Sequence, residues 1–129
     1  MVIHSAIYVA LGTLLIVALA FRVSLHRKKY QVGIGAGNQL QLDLDIRSHG
    51  NAVENLPLAL LLLSIAESIG LPLWAVHSSG IVLIVSRVLH AWGLSTSQGT
   101  STGRFVGILL CWFVMVVLAF YVLYVGFIA

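Results

Sequence analysis

From Ser5 to Phe21 the chain carries no charged residue, and with Met1 to His4 this apolar run is long enough to cross a bilayer. Arg22 is predicted to end it, which places a first helix at about residues 2–22. A polar connection follows from Val23 to Asp45, containing His26-Arg27-Lys28-Lys29 and then Gly33-Ile34-Gly35-Ala36-Gly37-Asn38. A second helix is predicted to open near Asp43 or Asp45, where acids suit the positive end of a helix dipole, and to run over about residues 45–68. Gly70-Leu71-Pro72 reads as a tight turn. A third helix, about residues 73–94, is interrupted by Arg87 and His90, and Ser95 to Gly103 is a small polar loop. The fourth helix, about residues 104–128, carries no charge after Arg104. The pattern predicts a single domain over residues 1–129: an all-α membrane protein, built as an up-down bundle of four transmembrane helices.

Composition supports that class. The 129 residues are 60% hydrophobic and only 9% charged, with a mean hydropathy of +1.04, whereas soluble domains carry roughly 25% charged residues. The first segment reads as a retained anchor, because no Lys or Arg precedes it and its apolar run exceeds that of a secretory signal. Net charge is +3. The basic residues Arg22, Arg27, Lys28, Lys29, Arg47, Arg87 and Arg104 all fall at helix ends that share one side of an up-down bundle. By the positive-inside rule that side is cytoplasmic and both termini lie outside. Such a distribution points to anionic lipid head groups or an anionic small ligand, not to nucleic acid. Cys111 is the single cysteine, so neither a disulfide framework nor a metal cluster is expected.

The stretch richest in chemistry is Arg47-Ser48-His49-Gly50-Asn51-Ala52-Val53-Glu54-Asn55-Leu56-Pro57, which runs straight into a leucine-rich segment. In a helix, Arg47, Asn51 and Glu54 stand at i, i+4 and i+7 on one face, with Glu54 roughly 10 Å deeper than Arg47. A carboxylate at that depth needs a cationic or polar partner. Arg87 reaches a similar depth from its own helix end and is the expected ion-pair partner. Two readings follow: a structural bridge that fixes helix register, or a polar, cation-rich pocket ringed by Arg47, Asn51, Glu54, Arg87 and Arg104 and open to the cytoplasm. His90 is either an interfacial hydrogen-bonding group or a contributor near the ligand. Gly33 to Asn38 is expected to make a turn that folds over the pocket. Pro57 is expected to bend the second helix, and Gly103-x-x-x-Gly107 permits close helix approach. Trp74, Trp92 and Trp112 read as interfacial or packing residues, and Cys111 as inert.

These residues resemble a family. The run Arg47-x-His49-x-Asn51-x-x-Glu54-x-x-Pro57 is similar to the signature of the membrane-associated proteins in eicosanoid and glutathione metabolism (MAPEG), closest to the small bacterial members. So are Gly33-x-Gly35 with Asn38, Arg87-Val88-Leu89-His90-Ala91-x-Gly93 and Arg104-x-x-Gly107. The resemblance implies a homotrimer in the bacterial cytoplasmic membrane that binds glutathione as co-substrate between protomers near the cytoplasmic side. Arg47, Asn51, Glu54, Arg87 and His90 would form the glutathione site, and Arg104 would act catalytically by approaching the sulfur from the adjacent protomer. The implied activity is glutathione transfer to, or peroxidase reduction of, a lipophilic electrophile delivered by the membrane. The alternative is a non-catalytic glutathione-, anion- or lipid-binding membrane protein. Where characterised eicosanoid-synthesising relatives carry tyrosines on the third helix, this chain has His90 and Leu94. Phe105 and Ile108 stand where some relatives have polar residues near the fourth-helix arginine, and Asn55 where some have an aromatic residue.

Overall fold

The computed structural model describes residues 2–96, 99 and 101–128. They form α1 (His4–Tyr30), α2 (Leu40–Ser68), α3 (Leu73–Thr96) and α4 (Thr102–Ile128), with no strand among the described residues. At about 1.5 Å per residue each helix exceeds the ~30 Å hydrocarbon thickness of a bilayer. Three helices, α1, α3 over Leu73–Leu94, and α4, are long and apolar enough to cross a membrane. The first half of α2 carries Asp43, Asp45, Arg47 and Glu54, and its second half is the leucine-rich segment. The chain is an all-α, four-helix up-down membrane bundle.

The two middle helices, α2 and α3, touch each other and both outer helices, whereas α1 and α4 make no contact among the described residues. The core follows from helical spacing. Leu56, Ala59, Leu60 and Leu63 of α2 meet Val76 and Leu83 of α3, Cys111, Val114 and Leu118 of α4, and Tyr8 of α1. The outward faces are also apolar: Leu14, Val17 and Phe21 on α1, and Phe113, Phe120 and Phe127 on α4, are each more than half exposed. In water so continuous a sheath would drive association; against lipid it is the surface that costs least.

Both ends of α1 are fixed by α2. At the N-terminus the orphan backbone donors of the first turn find the carboxylate of Glu67, which accepts from the Ile3, His4 and Ser5 amides at 3.3, 2.9 and 2.8 Å. At the other end Arg22 does not terminate the helix. Its Nε lies 2.9 Å from Oδ1 of the buried Asp45, and His26, one turn on, bonds the second Asp45 oxygen. With that charge answered, α1 continues two turns beyond the expected end. Its C-cap, Gln31, is left-handed (φ 54°), and Arg27 then donates to the carbonyls of Gly33 and Gly35 at 3.1 and 3.0 Å. The connection therefore folds back on the end of α1, and α2 opens at Leu40, earlier than its acids suggest. The helix runs through Pro57 without interruption.

α3 and α4 approach backbone to backbone where Gly107 crosses: a Cβ there would lie 2.5 Å from the Ser86 carbonyl oxygen. Gly107→Val is therefore expected to lower stability by about 2 kcal/mol or more through overpacking against main chain, read as a fall in unfolding temperature in detergent. Gly126→Ala, where a Cβ meets nothing within 4 Å, should leave that temperature unchanged.

Candidate functional site

A groove of about 470 Å³ opens between α2, α3 and α4 at the end of the bundle where α2 begins. One face of α2 supplies Asp43, Arg47, Asn51 and Glu54 to it, the three- and four-residue spacing that stacks side chains along one helix face. α3 adds His90 and Leu94, and α4 adds Arg104 and Ile108. The expected residues Arg47, Asn51, Glu54, His90 and Arg104 thus share one cavity within a single chain. Arg104 lies in the first turn of α4, where the helix dipole is positive and does nothing to compensate a cation. Its Nη1 donates to the Gly99 carbonyl at 3.2 Å.

Arg87 stands behind the groove, not in it. Its side chain is only 2% exposed. Nη2 donates to the Gly107 carbonyl of α4 at 2.7 Å, Nη1 donates to Oδ1 of Asn51 on α2, and Nε donates to Ser86 Oγ at 3.3 Å. One guanidinium from α3 therefore ties α2 to α4. A guanidinium has donors only, so Asn51 must turn its oxygen inward, which leaves the Nδ2 donor as the polar group it offers the groove.

The expected Glu54–Arg87 ion pair is not formed. Glu54 is exposed on the groove wall, and no ion pair joins it to Arg87 among the described residues. The two reach similar depth, but Glu54 sits about 200° around α2 from the buried Ala52, away from the core that encloses Arg87. Nor is the groove ringed by three cations facing one acid. Arg87 is withdrawn, Asp43 joins the wall, and Arg47 Nε lies 3.2 Å from Asp43 Oδ2. Two guanidinium and two carboxylate groups then face the cavity. The 33–38 turn does not cover this groove. Ala36 to Asn38 line a neighbouring pocket that shares only Asp43 with it.

Sequence reasoning missed two contributors. Asp43 is four residues before Arg47 and so stands on the same helical face, as well as in the first turn of α2. Asn55 donates Nδ2 to the Asn51 carbonyl at 2.9 Å and accepts at Oδ1 from Trp112 Nε1 on α4 at 3.1 Å, a pairing that no local pattern announces.

A family model, the MAPEG family, matches residues 5–124. The chain belongs to the MAPEG family. A relative, inner membrane protein YecN of Escherichia coli (strain K12), is 42% identical over 89 residues, covering 69% of this chain and 68% of that protein. YecN of Escherichia coli O6:H1 (strain CFT073) matches to the same extent. Of the α2 run that resembles the family's signature, Arg47, Asn51 and Glu54 line the groove, and Arg87 bonds Asn51 from behind it.

Because Glu54 is exposed and forms no ion pair among the described residues, Glu54→Gln should leave the unfolding free energy within about 0.5 kcal/mol of wild type, as for other exposed sites. Arg87→Met leaves the Asn51 oxygen without its donor and removes the tie to the Gly107 carbonyl, and should cost about 3 kcal/mol. Denaturant titration in detergent measures both.

Proposed function

We propose that this MAPEG protein binds glutathione in the α2–α3–α4 groove and transfers it to lipophilic electrophiles, or uses it to reduce lipophilic hydroperoxides. The observation that carries the reading is the convergence of Arg47, Asn51, Glu54, His90 and Arg104 on one cavity. Glutathione is an anionic tripeptide with two carboxylates, one ammonium group and a thiol. Arg47 and the Asn51 Nδ2 donor suit its carboxylates, and Glu54 suits its ammonium. A free thiol has a pKa of about 8.5, so a guanidinium beside it favours the thiolate. Arg104 is assigned that role, as the catalytic residue. For an aromatic halide, the thiolate sulfur attacks the ring carbon, a C–S bond forms, and halide leaves with the electrons of the C–halogen bond.

The same reading places the protein in the bacterial inner membrane, with the basic helix ends cytoplasmic and both termini outside. It also takes the chain as one protomer of a homotrimer, for which the unjoined flanks of α1 and α4 supply apolar contact surface. A second reading, binding without turnover, draws support from Leu94 and Ile108, which line the groove with carbon where a hydroxyl would assist the sulfur.

Glutathione is expected to raise the unfolding temperature of the purified protein in detergent. Arg104→Ala should abolish conjugation to an aromatic halide, a loss of at least about a hundredfold, while binding persists. Full turnover in Arg104→Ala would remove its catalytic assignment, and no thermal response to glutathione would remove the proposal.

A further inference from the structure

The turn between α1 and α2 lies outside the groove and is pinned in one conformation. Arg27 Nη1 donates to the carbonyls of Gly33 and Gly35 at 3.1 and 3.0 Å, on either side of Ile34. The Val32 amide returns to the Arg27 carbonyl at 3.0 Å, and Gly35 and Gly37 take left-handed backbone angles (φ 67° and 56°). The side chain held out at this tip is apolar. Ile34 is 94% exposed, more than any other large hydrophobic side chain among the described residues.

α1 gives the depth of the tip. From His4 to Arg22 it rises ~27 Å at ~1.5 Å per residue, close to the ~30 Å hydrocarbon thickness of a bilayer. Arg27 lies ~7 Å further out, within the head-group layer, and its bonds to the turn keep Ile34 level with it. Lys28 and Lys29, beside Arg27, are exposed and form no ion pair among the described residues. Lys29 Nζ stands 5.3 Å from the Tyr30 ring centroid, an aromatic of the kind that settles at a membrane interface. Two cations beside a rigid apolar tip at head-group depth call for a ligand with a phosphate and an acyl chain. A second copy of the chain fits less well. Turned about the membrane normal, it brings the same basic helix ends to the same depth, and its Asp43 and Asp45 already face Arg47, Arg22 and His26.

We infer that this turn is a binding site for an anionic phospholipid. Lys28 and Lys29 hold the lipid phosphate, and Ile34 enters the boundary between head groups and acyl chains. The site is independent of whatever the groove binds.

Dissociation constants for dioleoylphosphatidylglycerol and dioleoylphosphatidylcholine are measured by native mass spectrometry on the full chain in detergent. Wild type should prefer phosphatidylglycerol by about thirtyfold, the effect of two cations at an anionic surface. The double variant Lys28→Gln, Lys29→Gln should reduce that preference to about threefold or less, with phosphatidylcholine binding unchanged. Ile34→Ser should weaken both lipids by about fivefold, the loss of a partly buried isoleucine, and Ile34→Leu should restore them. Depth is read separately in vesicles of an equal mixture of the two lipids. Ile34→Cys carries a nitroxide there, the buried Cys111 staying in place, and the label should collide more with oxygen than with a water-soluble nickel chelate. Equal binding of the two lipids by wild type, or an unchanged preference in the double lysine variant, would overturn the inference. So would a label reached chiefly by the chelate. Magnetic coupling between labels on separate chains would also overturn it, by making the tip a contact between copies.

Discussion

Arg87 enters the interior of the bundle from α3 carrying a charge that neither lipid nor core side chains solvate. It is tolerated because its donors are met by the Gly107 carbonyl on α4, the Asn51 oxygen on α2 and the neighbouring Ser86 hydroxyl. Among the described residues the hydrogen bonds of Arg87 go to neutral acceptors, so its positive field is retained and lies directly behind the groove. The same contacts explain the local sequence. Gly107 lacks a side chain because α4 must bring its main chain to the Ser86 carbonyl, and that approach puts the Gly107 oxygen within reach of the guanidinium. Register, helix approach and the orientation of Asn51 are three consequences of one side chain.

The groove in front then has a definite character. Its wall carries two guanidinium groups and two carboxylates, with one donor amide whose direction is imposed from behind. Such a surface suits a zwitterionic peptide better than a simple anion, because each sign of charge on the ligand finds its opposite. The exposed Arg47–Asp43 pair is worth little by itself, so exchanging Asp43 for a ligand carboxylate costs little.

Much of this was legible in the sequence, for identifiable reasons. Four helices follow from long, largely apolar segments separated by polar connections and turn residues, and the shared face of Arg47, Asn51 and Glu54 follows from 3.6-residue periodicity. What failed was inference across helices. Depth along the membrane normal put Glu54 level with Arg87, yet depth says nothing of azimuth. The buried positions Ala52, Leu56 and Leu63 turn the core face of α2 away from Glu54. Arg22 looked like a helix end because an unpaired charge would be one; its partner Asp45 lies 23 positions along the chain, beyond any local rule. Asp45 does fall on the buried stripe of α2 with Leu42 and Ala52, a sign that it required a cation from another helix. The Trp112–Asn55 bond depends on how α2 and α4 cross, and nothing within either segment encodes that alone.

The central claim is that Arg87 and Asn51 act as one unit, which a double-mutant cycle tests most directly. Unfolding free energies of Arg87→Met, Asn51→Leu and the double variant are compared with wild type in the same detergent. The account predicts a coupling energy of about 1.5 kcal/mol or more, with the double variant less destabilised than the sum of the singles. Additive losses, with coupling below about 0.5 kcal/mol, would contradict it.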